Sequence, residues 1–193
     1  MRVTFRTEFR ERRAPHDERI AELTSWCIRF HERGLTPLYR GSSLGNLSFR
    51  LREDENSFII TASELRVKDD LTDDMFVTVH SCDPDKGITR ASGLKEPSSE
   101  SILHFEIYRK RKDVCAVFHG HSDLILSCGE KLGIPVTRTK ERPASTALVK
   151  SVLDILGNES FLIMKNHGFL SLGKSMTEAG EQAVMLSERC RNF

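Results

Sequence analysis

A chain of 193 residues is long enough to bury one core without help from disulfides, and its 30% charged residues balance to a formal net charge of +1. That balance excludes a general polyanion binder, so neither nucleic acid nor an anionic membrane surface is an expected partner. No segment approaches the roughly 18 uncharged apolar residues of a membrane span, no apolar N-terminal stretch resembles a signal peptide, and the five cysteines lack CxxC spacing. They read as reduced thiols, which predicts a cytosolic protein.

Residues 1–13 hold five arginines against Glu8 and Glu11, with Val3, Phe5 and Phe9 as apolar anchors, and read as a surface arm preceding a single domain over 14–193. An anion-binding or subunit-contacting role is the functional alternative for that arm. In residues 15–33, Ile20, Leu23, Cys27 and Phe30 recur at helical spacing, Pro15 suits a first turn and Gly34 a stop, which predicts the first helix. Leu47, Phe49 and Leu51 alternate with polar neighbours and residues 58–61 follow a charged turn, so two antiparallel strands are expected, with a third at 76–79 before the turn at 83–87. A helix is predicted from near Pro97 to about Lys112, a buried strand over 113–118, helices over 122–132 and 147–156, and a strand at 160–164 leading into a hairpin. Ser175 and Glu178 form a capping box, after which Ala179, Ala183, Leu186 and Cys190 lie on one stripe. Helices alternate with and flank a largely antiparallel sheet, and there is no GxGxxG after a strand, no Walker loop and no internal repeat. The class is α/β or α+β, not a dinucleotide fold.

Chemistry concentrates at His119-Gly120-His121. Alternate residues of a strand point to one face, so the two imidazoles chelate from the same side, and a third from a distant strand, His167 in Asn166-His167-Gly168, would leave a tetrahedral ion one open position. Histidines at alternate positions also occur on solvated strand faces; here each of the two segments ends a strand that reads as core. Pro97-Ser98-Ser99-Glu100 opens a helix whose unpaired amides and dipole suit an anion, while Glu100 equally suits a first turn for structural reasons. Gly45-Asn46-Leu47-Ser48 and Thr61-Ala62-Ser63 are two further small-residue turns that lie open to a ligand or are plain loops.

Taken in order, Gly45-Asn46-Leu47-Ser48, Ile60-Thr61-Ala62-Ser63, Pro97-Ser98-Ser99-Glu100, His119-Gly120-His121 and Asn166-His167-Gly168 resemble the motifs of the class II aldolase and adducin family over nearly the whole chain. The resemblance implies a three-layer α/β/α domain with a central, mainly antiparallel sheet flanked by helices. It implies that His119, His121 and His167 bind a metal, usually zinc, that Glu100 is the acid/base, and that Gly45, Asn46, Ser63, Ser98 and Ser99 line a pocket for a substrate phosphate. The activity implied is retro-aldol cleavage of a small ketose phosphate, such as fuculose phosphate, through a metal-stabilised enediolate. Epimerase, dehydratase or decarboxylase chemistry on the same site, or a non-catalytic binding module like adducin, are the alternatives. A homo-oligomer, commonly a tetramer with pockets at subunit junctions, is implied too.

Three departures qualify the pattern. Glu64 stands where the family commonly has glycine, and a carboxylate there would repel a phosphate dianion. Between Val136 and Ala147, residues 139–145 replace the usual segment, so no match is found for the tyrosine that protonates the leaving group in some aldolases; Lys140 or Arg142 could recognise an anion there instead. The sequence also stops soon after the Ser175 helix, so no C-terminal tail folded over the site is expected.

Overall fold

The computed structural model describes residues 6–66, 71–129 and 131–192. Its frame is an eight-stranded sheet in the order β1-β7-β6-β5-β4-β8-β10-β9, comprising β1 (Arg6–Glu11), β4 (Asn46–Arg50), β5 (Phe58–Thr61), β6 (Phe76–Asp83), β7 (Ile88–Ser92), β8 (Ala116–Gly120), β9 (Phe161–Met164) and β10 (Gly168–Gly173). Every pairing is antiparallel except the one between β1 and β7, which is parallel. A short ribbon of β2 (Leu38–Tyr39) and β3 (Ser42–Ser43) stands apart from the sheet.

Helices cover both faces. Leu47, Phe49, Ile59, Phe118 and Phe169 turn to one side and pack with α1 (Ile20–Glu32), α3 (Asp123–Gly129) and α5 (Met176–Arg191). Phe58, Ile60, Val117, Leu162 and Leu170 turn to the other and pack with α2 (Ser101–Lys110) and α4 (Thr146–Leu156). The expected three-layer α/β/α architecture with a mainly antiparallel sheet is therefore found. Sheet burial on both faces explains why β4, β5, β8 and β10 contain no exposed position.

Several boundaries differ from the sequence reading for local reasons. The first helix starts at Ile20 because Asp17 is occupied upstream: its carboxylate accepts from the Arg19 backbone amide at 3.0 Å and from the Arg19 guanidinium at 2.7 Å. The helix expected from Pro97 begins at Ser101, because Pro97 bridges Ala62 and the Ser98 amide donates to the Thr61 carbonyl, tying residues 97 and 98 to the end of β5. The basic N-terminal segment, read as an arm, adds β1 to the edge of the sheet; Val3 and Phe5, expected to anchor it, lie outside the described residues. The thiol reading is corrected for two of the five cysteines. Cys128 on α3 and Cys190 on α5 form a disulfide across 62 residues with Cα atoms 6.0 Å apart, a pairing that spacing cannot reveal because it depends on the two helices packing together. Cys27, Cys82 and Cys115 are thiols. Among the described residues no helix is long and apolar enough to cross a membrane.

Arg50 ties the layers together from inside. Only 3% exposed, its guanidinium donates to the carbonyls of Val114 (2.9 Å), Glu55 (2.5 Å), Tyr108 (2.7 Å) and Arg111 (2.8 Å), satisfying the C-terminal end of α2 and the approach to β8. Arg50→Ala orphans these acceptors, and since a buried unsatisfied group costs about 1–3 kcal/mol, an overall loss of about 3 kcal/mol or more is expected in urea unfolding. Arg50→Lys should not restore it, because an ammonium cannot reproduce the planar fork.

Candidate active site

The site lies on the α2 face of the sheet, where β4, β8 and the β9–β10 turn meet the first turn of α2. Alternation along β8 sends Val117 and His119 to this face and Phe118 to the other. The His119 ring N–H at Nδ1 donates to the Phe169 carbonyl at 2.8 Å, so its tautomer is set and the Nε2 lone pair faces the cluster. His121 follows from the same side, with its Nε2 3.0 Å from His119 Nε2. His167 comes from the β9–β10 turn, which closes through Asn166 in the left-handed region at φ 53°. The three rings lie with centroids 4.7–5.2 Å apart, and one ligand atom from each falls within 4.8 Å of the others.

Glu100 is the residue immediately before α2, yet its carboxylate does not cap that helix. It reaches across to the histidines: Oε2 lies 3.1 Å from His119 Nε2 and accepts from Asn46 Nδ2 at 3.0 Å, and Oε1 lies 3.3 Å from His167 Nε2. Burial opposes ionisation of this carboxyl, but His119 and His167, where they carry a proton, and the Asn46 hydrogen bond outweigh it and hold the group below the usual carboxylate range. Burial, aided by His119, pushes His167 down to about 4, so its imidazole is neutral at pH 7 and available as a ligand.

Donor type, tautomer and spacing all fit a divalent ion. Metal–nitrogen bonds of about 2.0–2.1 Å in a tetrahedral site place ligand nitrogens roughly 3.3 Å apart, close to the 3.0 Å between His119 and His121. Two nitrogens facing each other at that distance require a proton or a cation between them. The hydrogen bond from the His119 ring to a backbone carbonyl, on the side away from the cluster, is the arrangement that orients metal-binding histidines.

The remaining expected residues divide into two groups. Ser63, Ser98 and Ser99 line one cavity of about 170 Å³, together with Arg6 and Glu96. Ser63 Oγ donates to the Pro97 carbonyl at 2.8 Å, and Ser98 Oγ accepts from the Glu100 amide at 3.3 Å. Gly45 and Asn46 are not part of this lining. The Asn46 amide serves Glu100, and Gly45, at φ 78°, lets the start of β4 close on β8, since a Cβ there would sit 2.5 Å from the His119 carbonyl. Gly120 likewise faces away from the histidines, toward Phe169 and Leu35, so it serves packing behind the site rather than space within it. Glu64 is exposed and adopts φ 58°, a conformation in which glycine is the unstrained residue.

Sequence reasoning quoted Ser48 within a motif but gave it no role, and it missed His104 and Tyr108; all three are fully buried beside the site. His104 and Tyr108 stand four and eight residues after Glu100, a helical spacing that could have singled them out.

With fold and geometry in view, the comparisons identify the class. Residues 21–193 match the family model described as Class II Aldolase and Adducin N-terminal domain, and the chain belongs to that family. It is 30% identical over 115 residues to an L-fuculose phosphate aldolase of Methanocaldococcus jannaschii, covering 50% of this chain and 60% of that protein. It is 38% identical over 103 residues to a methylthioribulose-1-phosphate dehydratase of Sorangium cellulosum, covering 53% and 42%. The chain thus spans less than two thirds of the length of these relatives. Among solved structures, an L-fuculose 1-phosphate aldolase superposes with a TM-score of 0.73 at 20% identity, covering 93% of this chain and 85% of that one. A sugar-phosphate aldolase from Thermotoga maritima gives 0.74 at 19% identity, covering 90% and 92%.

Proposed function

We propose that the chain is a zinc-dependent lyase that cleaves a small ketose phosphate, such as fuculose phosphate, by a retro-aldol reaction. The observation that carries this reading is the convergence of three imidazole nitrogens within 4.8 Å, with the Glu100 carboxylate lying against two of them. An ion held by His119, His121 and His167 would act as a Lewis acid on a ketone or hydroxyl of the substrate. Glu100 would then move the proton: Oε2 is steadied by Asn46, while Oε1 lies against His167 and accepts no hydrogen bond from the described residues. Ser63, Ser98 and Ser99 offer hydroxyls to the anionic end of the substrate, with the Arg6 cation along the same cavity wall. The family likeness further supports a homotetramer with sites at subunit junctions and a cytosolic setting, although the Cys128–Cys190 disulfide removes the reduced-thiol argument for the latter.

Dehydration is the second reading, favoured by the 38% identical dehydratase relative. It uses the same ion and carboxylate but expels water from the carbon beside the enolising centre in place of breaking a carbon–carbon bond. Incubating the zinc-loaded protein with phosphorylated and unphosphorylated ketoses separates the two: aldehyde release supports the lyase that breaks C–C bonds, and a diketone product supports dehydration. Chelation should abolish either reaction. Turnover that survives full removal of the ion would sink both readings.

A further inference from the structure

We infer that Ser48, His104 and Tyr108 form a positioning cluster that sets the height and rotation of the first turn of α2 on the sheet, and through it the place of the Glu100 carboxylate. The inference rests on the proposed role of Glu100 in moving a proton. Its basis is a match of periods. Two residues along a strand advance about 6.6 Å, and four along a helix about 6 Å, so a strand face read in twos can meet a helix face read in fours. β4 and α2 do meet in this way. Asn46 pairs with Glu100 at 3.0 Å, and Ser48, two residues on, pairs with His104, four residues on, at 2.7 Å. Tyr108, one turn further, reaches the same Ser48 hydroxyl at 2.8 Å.

Arg50 already holds the C-terminal end of α2 through the Tyr108 and Arg111 carbonyls, and at the other end a single contact at Asn46 would leave the first turn able to pivot. The Ser48 contacts to His104 and Tyr108 oppose that pivot. Ser48 Oγ also lies 3.3 Å from the Val117 carbonyl on β8, the strand that carries His119 and leads into His121. A hydroxyl has one proton and two acceptor sites. All three contacts form together only when Ser48 donates to Val117 and accepts from both Tyr108 O–H and His104 Nδ1–H. One hydroxyl thereby joins the strand that bears the histidines, the strand that bears Asn46 and the helix that bears Glu100.

The cluster is not what core stability alone calls for. His104 is 0% exposed, and its Nε2 finds no hydrogen-bond partner among the described residues, a buried polar atom left unsatisfied that an apolar ring stacked against Phe58 would avoid. Burial, reinforced by His119, pushes His104 down to about 3, so it is a neutral ring that brings no further cation toward the ion site. Its contribution is the Nδ1 bond and the orientation that bond enforces.

The test uses proton exchange, which reads the step assigned to Glu100 without requiring the aldehyde partner. Zinc-loaded protein is incubated with dihydroxyacetone phosphate in heavy water, and deuterium entering the carbon-bound position is followed by NMR alongside bound zinc per chain. Ser48→Ala and His104→Phe are expected to slow exchange by roughly 10- to 100-fold, with the concentration for half-maximal rate within about threefold of the parent and with bound zinc unchanged. Ser48→Thr, which keeps the hydroxyl, should restore most of the rate. Tyr108→Phe removes one donor without vacating the core and reports on the cluster should Ser48→Ala not fold. Exchange within about threefold of the parent in both Ser48→Ala and His104→Phe, or zinc lost in step with rate, overturns the inference. Glu100→Gln is the internal control: if it too keeps exchanging, or the parent does not exchange, the functional reading itself has failed and takes this inference with it.

Discussion

Replacing His121 with alanine is expected to strip the divalent ion from a chain that stays folded. His121 is the ligand to choose because it follows the last residue of β8 and is only part-buried, whereas His119 is fully enclosed and holds the Phe169 carbonyl. Truncating His119 would orphan that carbonyl and confuse loss of metal with loss of fold. With one of three ligands gone, affinity for zinc should fall by at least about 100-fold, while the unfolding transition of the metal-free protein moves little. Equilibrium dialysis against zinc followed by elemental analysis reads the first quantity, and thermal unfolding with chelator reads the second. A ligand present at 100 times its dissociation constant stabilises the native state by about 2.7 kcal/mol, so the parent should melt higher with zinc and the variant should not. Unchanged metal content would remove His121 from the ligand set.

Glu100→Gln should give the opposite pattern. The amide is isosteric, and its oxygen can still accept from Asn46 Nδ2, so the turn before α2 and the ion are expected to stay in place. What disappears is the basic carboxylate, whose Oε2 lies against His119 and whose Oε1 lies against His167. General acid–base catalysis is worth roughly 10²- to 10⁴-fold, and a loss in that range is expected in α-proton exchange and in turnover, with zinc content intact. Full activity in this variant would move the proton-transfer role elsewhere and leave the carboxylate as a partner of the imidazoles alone.

The two variants probe a site that was legible in the sequence to different depths. His119 and His121 could be paired from first principles, since a period of two puts them on one face of any strand. His167 joined them as a candidate because it too ends a strand that reads as core, but nothing local says that a hairpin some 45 residues later closes on β8; the physical cause is the antiparallel pairing of β10 with β8, which sets Phe169 opposite Gly120 and Leu170 opposite His119. The apolar periodicity of α2 drew attention to the side chains that pack and away from His104 and Tyr108, which share a face with Glu100. β7 was unread because residues 88–92 alternate only weakly and owe their strand to neighbours on both sides. The disulfide between Cys128 and Cys190 was equally invisible, because it depends on α3 and α5 lying side by side. Asn46, expected to face an anion in the substrate, donates in this structure to the Glu100 carboxylate, a contact that no local pattern announces.

The β9–β10 hairpin bears on two of the proposed ligands at once: its turn carries His167, and its Phe169 carbonyl clasps the ring of His119. Opening that hairpin would therefore free two imidazoles in one movement, making departure of the ion an all-or-none event instead of a stepwise one. Thermodynamic reciprocity turns the same coupling around, so that an ion in place acts as a rivet on this edge of the sheet and should slow amide exchange in the hairpin more than anywhere else.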